Sequence, residues 1–123
     1  MNTNKEIAIH FLQLAAKGDA RDAFNLYADA GFLHHNCHFK GDAETLIEAM
    51  EVNARENPSK MLEIKHSLEE GDLVAVHSHI WQNAADPGAA VVHLFRFVNN
   101  KIVEMWDVAQ AVPTGKINEN GMF

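Results

Sequence analysis

Apolar residues change their spacing once along this 123-residue chain, from helical spacing in the first half to alternation in the second, and few architectures accommodate that switch. In NTNKEIAIHFLQLAAKG, residues Ile7, Phe11, Leu14 and Ala15 recur three or four positions apart, and Gly18 is placed to close the helix in a left-handed cap. Asp19 is a candidate N-cap for a second helix, DARDAFNLYAD, whose Ala23, Phe24 and Tyr27 share one face until Gly31 breaks it. A third helix opens at Asp42, carries Leu46, Ile47, Met50 and Ala54 along one stripe, and stops before Pro58. From Met61 the pattern alternates: Leu62, Ile64, His66 and Leu68 are set against Glu63, Lys65, Ser67 and Glu69. LVAVHSHIW and AVVHLFRFV follow as strands separated by NAADPGA, and VNNK turns the chain into KIVEMWDVAQ. Helices first and strands afterwards predict an α+β domain over residues 1–110, with three N-terminal helices covering one face of a curved, four-stranded antiparallel meander. The tail, residues 111–123, either frays or folds back on Met122 and Phe123.

Charge narrows the partners. Ten Lys and Arg against 17 Asp and Glu give a formal charge of -7, which argues against a nucleic-acid surface and makes small neutral or weakly charged ligands the better candidates. No apolar run approaches the roughly 18 residues of a membrane span. MNTNKEIAIH interrupts its apolar residues with Lys5, Glu6 and His10, unlike a secretory signal. The single cysteine, Cys37, cannot staple the domain internally, so a cytoplasmic protein without membrane or nucleic-acid partners is expected.

Eight histidines and one misplaced acid carry the chemistry. Asp107 sits within the mostly apolar run KIVEMWDVAQ, where a buried carboxylate costs several kcal/mol unless it is paired or its pKa is raised. His93 shares a face with Phe95 and Phe97, and an imidazole there is expected to stand near its ordinary pKa, about 6.5. Asp107 lies opposite His93 if the VNNK hairpin has three loop residues, and opposite Val92 if it has two. His77 and His79 point to one face of their strand, as two metal ligands would, or serve as ordinary hydrogen-bonded sheet residues. In LHHNCHF, His35 and side chains two positions from it can look inward together, while His34 and His38 read equally as exposed loop residues.

GDLVAVHSHIWQN followed by AAVVHLFRFVNNKIVEMWDVAQ, with its F-R-x-x-x-x-K-I-x-E-x-W-D run, resembles the carboxy-terminal half of SnoaL-like polyketide cyclases in the nuclear transport factor 2-like superfamily. With the preceding helices and the HHN segment, the resemblance covers most of the chain. It implies a cone, a curved antiparallel sheet wrapped over helices around a deep, mostly apolar pocket. Asp107 would project into that pocket, His93 would occupy the position of a pocket acid in ketosteroid isomerases, and Met105 stands where many cyclases have histidine. The implied activity is that of a cofactor-independent, metal-free lyase, isomerase or cyclase that abstracts a proton next to the carbonyl of a small apolar compound. Asp107 would act as base or acid, its pKa raised by apolar walls, and His93 would orient it or donate to the oxyanion. His35, Asn36, His77, His79, Phe95 and Met105 would contact substrate. Trp106, on the outer face, would join a homodimer interface. The alternatives are a non-catalytic binding or dimerisation module and a cupin-like metal protein built on His77 and His79.

Overall fold

The computed structural model describes residues 2–115 and 117–123. Helix α1 (Asn4–Ala16) begins with a capping box between Thr3 and Glu6, which satisfies backbone donors that its first turn would leave open. Gly18, at φ 103°, ends it as expected, in a conformation that a side chain resists. Helix α2 (Ala20–Tyr27) runs straight into strand β1 (Ala28–His34), and helix α3 (Ala43–Glu56) is capped by Asp42, whose carboxylate accepts from Thr45 N–H at 2.8 Å. Strands β2 (Met61–Glu70), β3 (Leu73–Trp81), β4 (Ala89–Val98) and β5 (Lys101–Ala111) complete a sheet in the order β1-β5-β4-β3-β2. The β3–β4 turn depends on Gly88, at φ 79°, where a Cβ would lie 2.1 Å from the Ile80 carbonyl oxygen.

Among the described residues the sheet has five strands, not four. ADAGFLH forms β1, which pairs in parallel with β5 while the other neighbours are antiparallel. A helix extended to Asp29 hides this strand, because Ala28-Asp29-Ala30-Gly31 has little β-propensity. Asp29 Oδ2 instead accepts the Gly31 N–H at 2.8 Å, a local turn that makes the pairing irregular between Ala28 and Leu33. The edge strand brings the HHN segment alongside the middle of β5.

Bulges in β2 and β5 change which residues face inward. In β2 the register shifts between Ile64 and His66, so His66 and Leu68 turn to the outer face instead of continuing the stripe of Leu62 and Ile64. Between helices and sheet, Phe11, Phe24, Phe32, Phe95 and Phe97 form a contiguous aromatic cluster with ring centroids 5.0 to 6.5 Å apart. Each such pair adds about 0.5–1.5 kcal/mol beyond the area it buries. Among the described residues no helix is long and apolar enough to cross a membrane.

Candidate functional site

Asp107 reaches the concave face because of one extra residue. Ile102 is buried, so unbroken alternation would send Glu104 and Trp106 inward and Asp107 outward. In the sheet Phe97 pairs with Ile102 but Arg96 pairs with Glu104, which leaves Val103 as the added residue of a bulge. Beyond it, Met105 and Asp107 fall on the face of Ile102. The hairpin itself has two loop residues, Asn99 and Asn100, at φ 50° and 63°, the left-handed pair of a type I′ turn. Neither loop length considered from sequence describes this arrangement: the turn is the short one, yet the bulge restores the pairing of Asp107 with His93.

The HHN segment meets Asp107 from the neighbouring strand. Asn36 Nδ2 donates to Asp107 Oδ2 at 2.9 Å, and the orientation of that amide is fixed because Asn36 Oδ1 accepts the His38 N–H at 2.9 Å. His34 holds the loop in place. Its buried ring accepts the Asn36 N–H on Nδ1 at 3.1 Å, so the proton sits on Nε2, which donates to the Lys40 carbonyl at 2.7 Å. The His35 N–H donates to the Met105 carbonyl at 3.0 Å, which ties the segment to β5. His34 is therefore the inward histidine of the pair, and His35 faces out.

His93 is 8% exposed, and its Nδ1 has no hydrogen-bond partner among the described residues. Burial pushes its pKa down to about 4; the Asp107 carboxylate opposes that fall and the Lys60 ammonium adds to it. The imidazole is thus neutral at pH 7, not poised near its ordinary range, because the aromatic floor of the cone excludes the water that would solvate a cation. A neutral imidazole still donates or accepts one hydrogen bond. It lines a cleft of about 80 Å³ walled by Leu12 and Ala16 of α1, Met50 of α3, Leu62 and Ile80, with Lys60 the other polar group. A wider hollow of about 360 Å³ lies among tail residues such as Val112, Ile117 and Met122, and none of its described lining side chains ionises.

The remaining expected contacts are elsewhere. Phe95 and Met105 are fully buried in the packed core and do not line the cleft. His35, His77 and His79 lie on the outer face, because each is out of phase with the inward residues of its strand. The His35 ring stacks on Trp106 at 5.1 Å and its Nε2 is 2.6 Å from Glu104 Oε2. His77 meets His66 with the two Nδ1 atoms 3.0 Å apart, and His79 donates to the Pro87 carbonyl at 2.8 Å. The Phe123 ring stacks on His79 with centroids 4.4 Å apart, so the end of the tail folds back rather than fraying. Among the described residues no three His, Cys, Asp or Glu side chains converge in a way that could hold a metal ion. Sequence alone leaves His34 open between an inward and an exposed loop residue, and Lys60 and Ser78 carry no periodic or motif signal.

No protein-family model matches the sequence, and no curated protein matches it. Solved structures do. AclR, a proposed hydroxylase from Streptomyces galilaeus, superposes with a TM-score of 0.71 at 19% identity, over 87% of this chain and 88% of its own. A proposed SnoaL-like polyketide cyclase from Jannaschia sp. CCS1 gives 0.69 at 20% identity, over 87% of this chain and 85% of its own. An NTF2-like protein of unknown function from Cytophaga hutchinsonii gives 0.72 at 14% identity, over 89% and 92%. The chain has the NTF2-like fold. At these identities the likeness is one of architecture, and in this NTF2-like cone the chemistry has to be argued from Asp107, Asn36 and His93 themselves.

Proposed function

We propose that this NTF2-like protein abstracts a proton next to the carbonyl of a small molecule, with Asp107 as the base and His93 as a neutral hydrogen-bond donor to the enolate oxygen. One observation carries the reading: among the described residues Asp107 has a single side-chain donor, Asn36, and stands across from a buried imidazole whose Nδ1 is unpartnered. A structural acid would be surrounded by donors. An acid with one oxygen free, beside an unused donor, suits a reaction that moves a proton and then stabilises the charge left behind. Neutral imidazole is suited to the second task, since it can donate without handing over its proton. The SnoaL-like neighbours supply a precedent for the fold, and the step is cofactor-independent as written.

On a carbonyl substrate that the protein turns over, Asp107→Asn is expected to lower kcat by about 10²- to 10⁴-fold, the usual contribution of one acid–base group. Its folded spectrum and Tm should match wild type. A folded variant with full kcat would remove Asp107 from the mechanism.

A second reading, a non-catalytic carrier of small molecules, draws on the burial of Phe95 and Met105, which fill space that a large pocket would need. Under it Asp107→Asn would change affinity and no reaction would be found. The homodimer belongs with the proposal as well. Val92 and Val108 pair on the outer face, 40% and 71% exposed, close to Trp106, and a second copy is the natural cover for such a patch.

A further inference from the structure

Lys60 enters the cleft beside His93 without a counter-ion. Its ammonium donates to Asn53 Oδ1 at 2.8 Å, and no carboxylate among the described residues lies within ion-pair distance. Burial holds it below the ordinary lysine range, as expected of a cation drawn partly out of water with only a neutral amide for company. His93 lines the same space with its unpartnered Nδ1. Ser78, two residues along β3 from the cross-strand partner of His93, adds a fully buried Oγ that is also without a partner among the described residues. Native interiors leave few such groups. Among the described residues Lys60 thus lacks a counter-ion, and two potential donors on the inner sheet face lack partners.

A neutral ketone would answer one donor. A carboxylate brings two acceptor oxygens and the missing charge. We propose that Lys60 forms a carboxylate subsite beside His93, so that the compound taken by this cleft is a short oxo acid rather than a neutral ketone. The carbonyl half of that statement rests on the proton-abstraction reading above; the carboxylate half rests on Lys60 and the cleft. Size agrees: about 80 Å³ is available, roughly half of the ~150 Å³ that takes up benzene in an apolar cavity. That volume encloses a few non-hydrogen atoms and excludes a fused-ring polyketide. The formal charge of -7 opposes anions at long range, so Lys60 is the local cation that would have to receive one.

The test uses pyruvate and its neutral isostere pyruvamide, titrated into protein carrying isotope-labelled histidine while the His93 ring signals are followed by NMR. Wild type is expected to bind pyruvate saturably and more tightly than pyruvamide. Lys60→Met should weaken pyruvate by about 10- to 100-fold, the range for losing one charge-assisted hydrogen bond, and Lys60→Arg should recover most of it. Asp107→Asn should bind pyruvate at least as well as wild type, since it removes a neighbouring negative charge. Should Asp107→Asn bind pyruvate and still exchange its methyl protons at the wild-type rate, the proton-abstraction reading fails while the subsite stands. Equal affinity for pyruvate and pyruvamide, unchanged affinity in a folded Lys60→Met, or no saturable shift of His93 in wild type overturns the inference. If Lys60→Met does not fold, the comparison of the two ligands on wild-type protein decides alone.

Discussion

At the scale of single residues, His93 ties stability to pH. Its ring titrates near pH 6.5 in an unfolded chain and at about 4 in the folded one. Between those values the unfolded chain holds the extra proton, so the neutral, buried ring favours folding in full above pH 6.5 and that contribution is lost as pH falls towards 4. The shift corresponds to about 3 kcal/mol as an order of magnitude. Urea denaturation of wild type should therefore show stability falling over this window, and His93→Leu should flatten that part of the profile. A His93→Leu profile as steep as wild type there would mean that other groups set the acid limit. The same burial decides the chemistry: a ring that resists protonation at neutral pH can donate a hydrogen bond to an enolate but cannot be its resting acid.

At the scale of elements, the β4–β5 hairpin is where a small change in backbone governs which side chains face inward. Asn99 is held at φ 50° in the two-residue turn, a region costly for a β-branched residue and free for glycine. Asn99→Val is expected to destabilise the protein by about 1–2 kcal/mol, and Asn99→Gly to leave it unchanged or slightly more stable, both read from denaturation midpoints. Equal midpoints for the two variants would rule out a left-handed turn at this position. Much of this architecture was legible beforehand. The helical stripe of Ile7 and Phe11, the cap at Gly18, the stop before Pro58 and the alternation of Val74 and Val76 each follow a local rule, and local rules survive without coordinates. What escaped was non-local. Strand β1 exists because an edge of β5 was open to receive it, and its own residues have little preference for the extended state. The bulge at Val103 left one trace: Ile102 and Met105, three apart, are both buried, which an uninterrupted strand does not allow. His35 was preferred over His34 because adjacent residues alternate and nothing local fixed the phase. Lys60 carries no signal in the sequence, and only the convergence of α1, α3 and three strands shows what surrounds it.

At the scale of the whole molecule, the cone separates two surfaces. The concave side carries the half-buried Asp107 next to His93, and His93 lines the small cleft; the convex side carries His35 stacked on Trp106, Arg96 over the same indole at 5.7 Å, and the tail residue Phe123 against His79. If the convex side joins two copies, light scattering should give the mass of a dimer, and Val108→Lys, which sets a charge at the centre of the apolar patch, should give that of a monomer. A wild-type monomer would refute the dimer without touching the site. The site itself is tested most directly by incubating the protein in heavy water with acetone and with pyruvate and following deuterium entry at the α-carbon by NMR. Wild type should accelerate the exchange of at least one of them, and Asp107→Asn should slow that exchange by about 10²- to 10⁴-fold. Exchange at equal rates in wild type and in folded Asp107→Asn, or no acceleration by wild type, would contradict a base at Asp107.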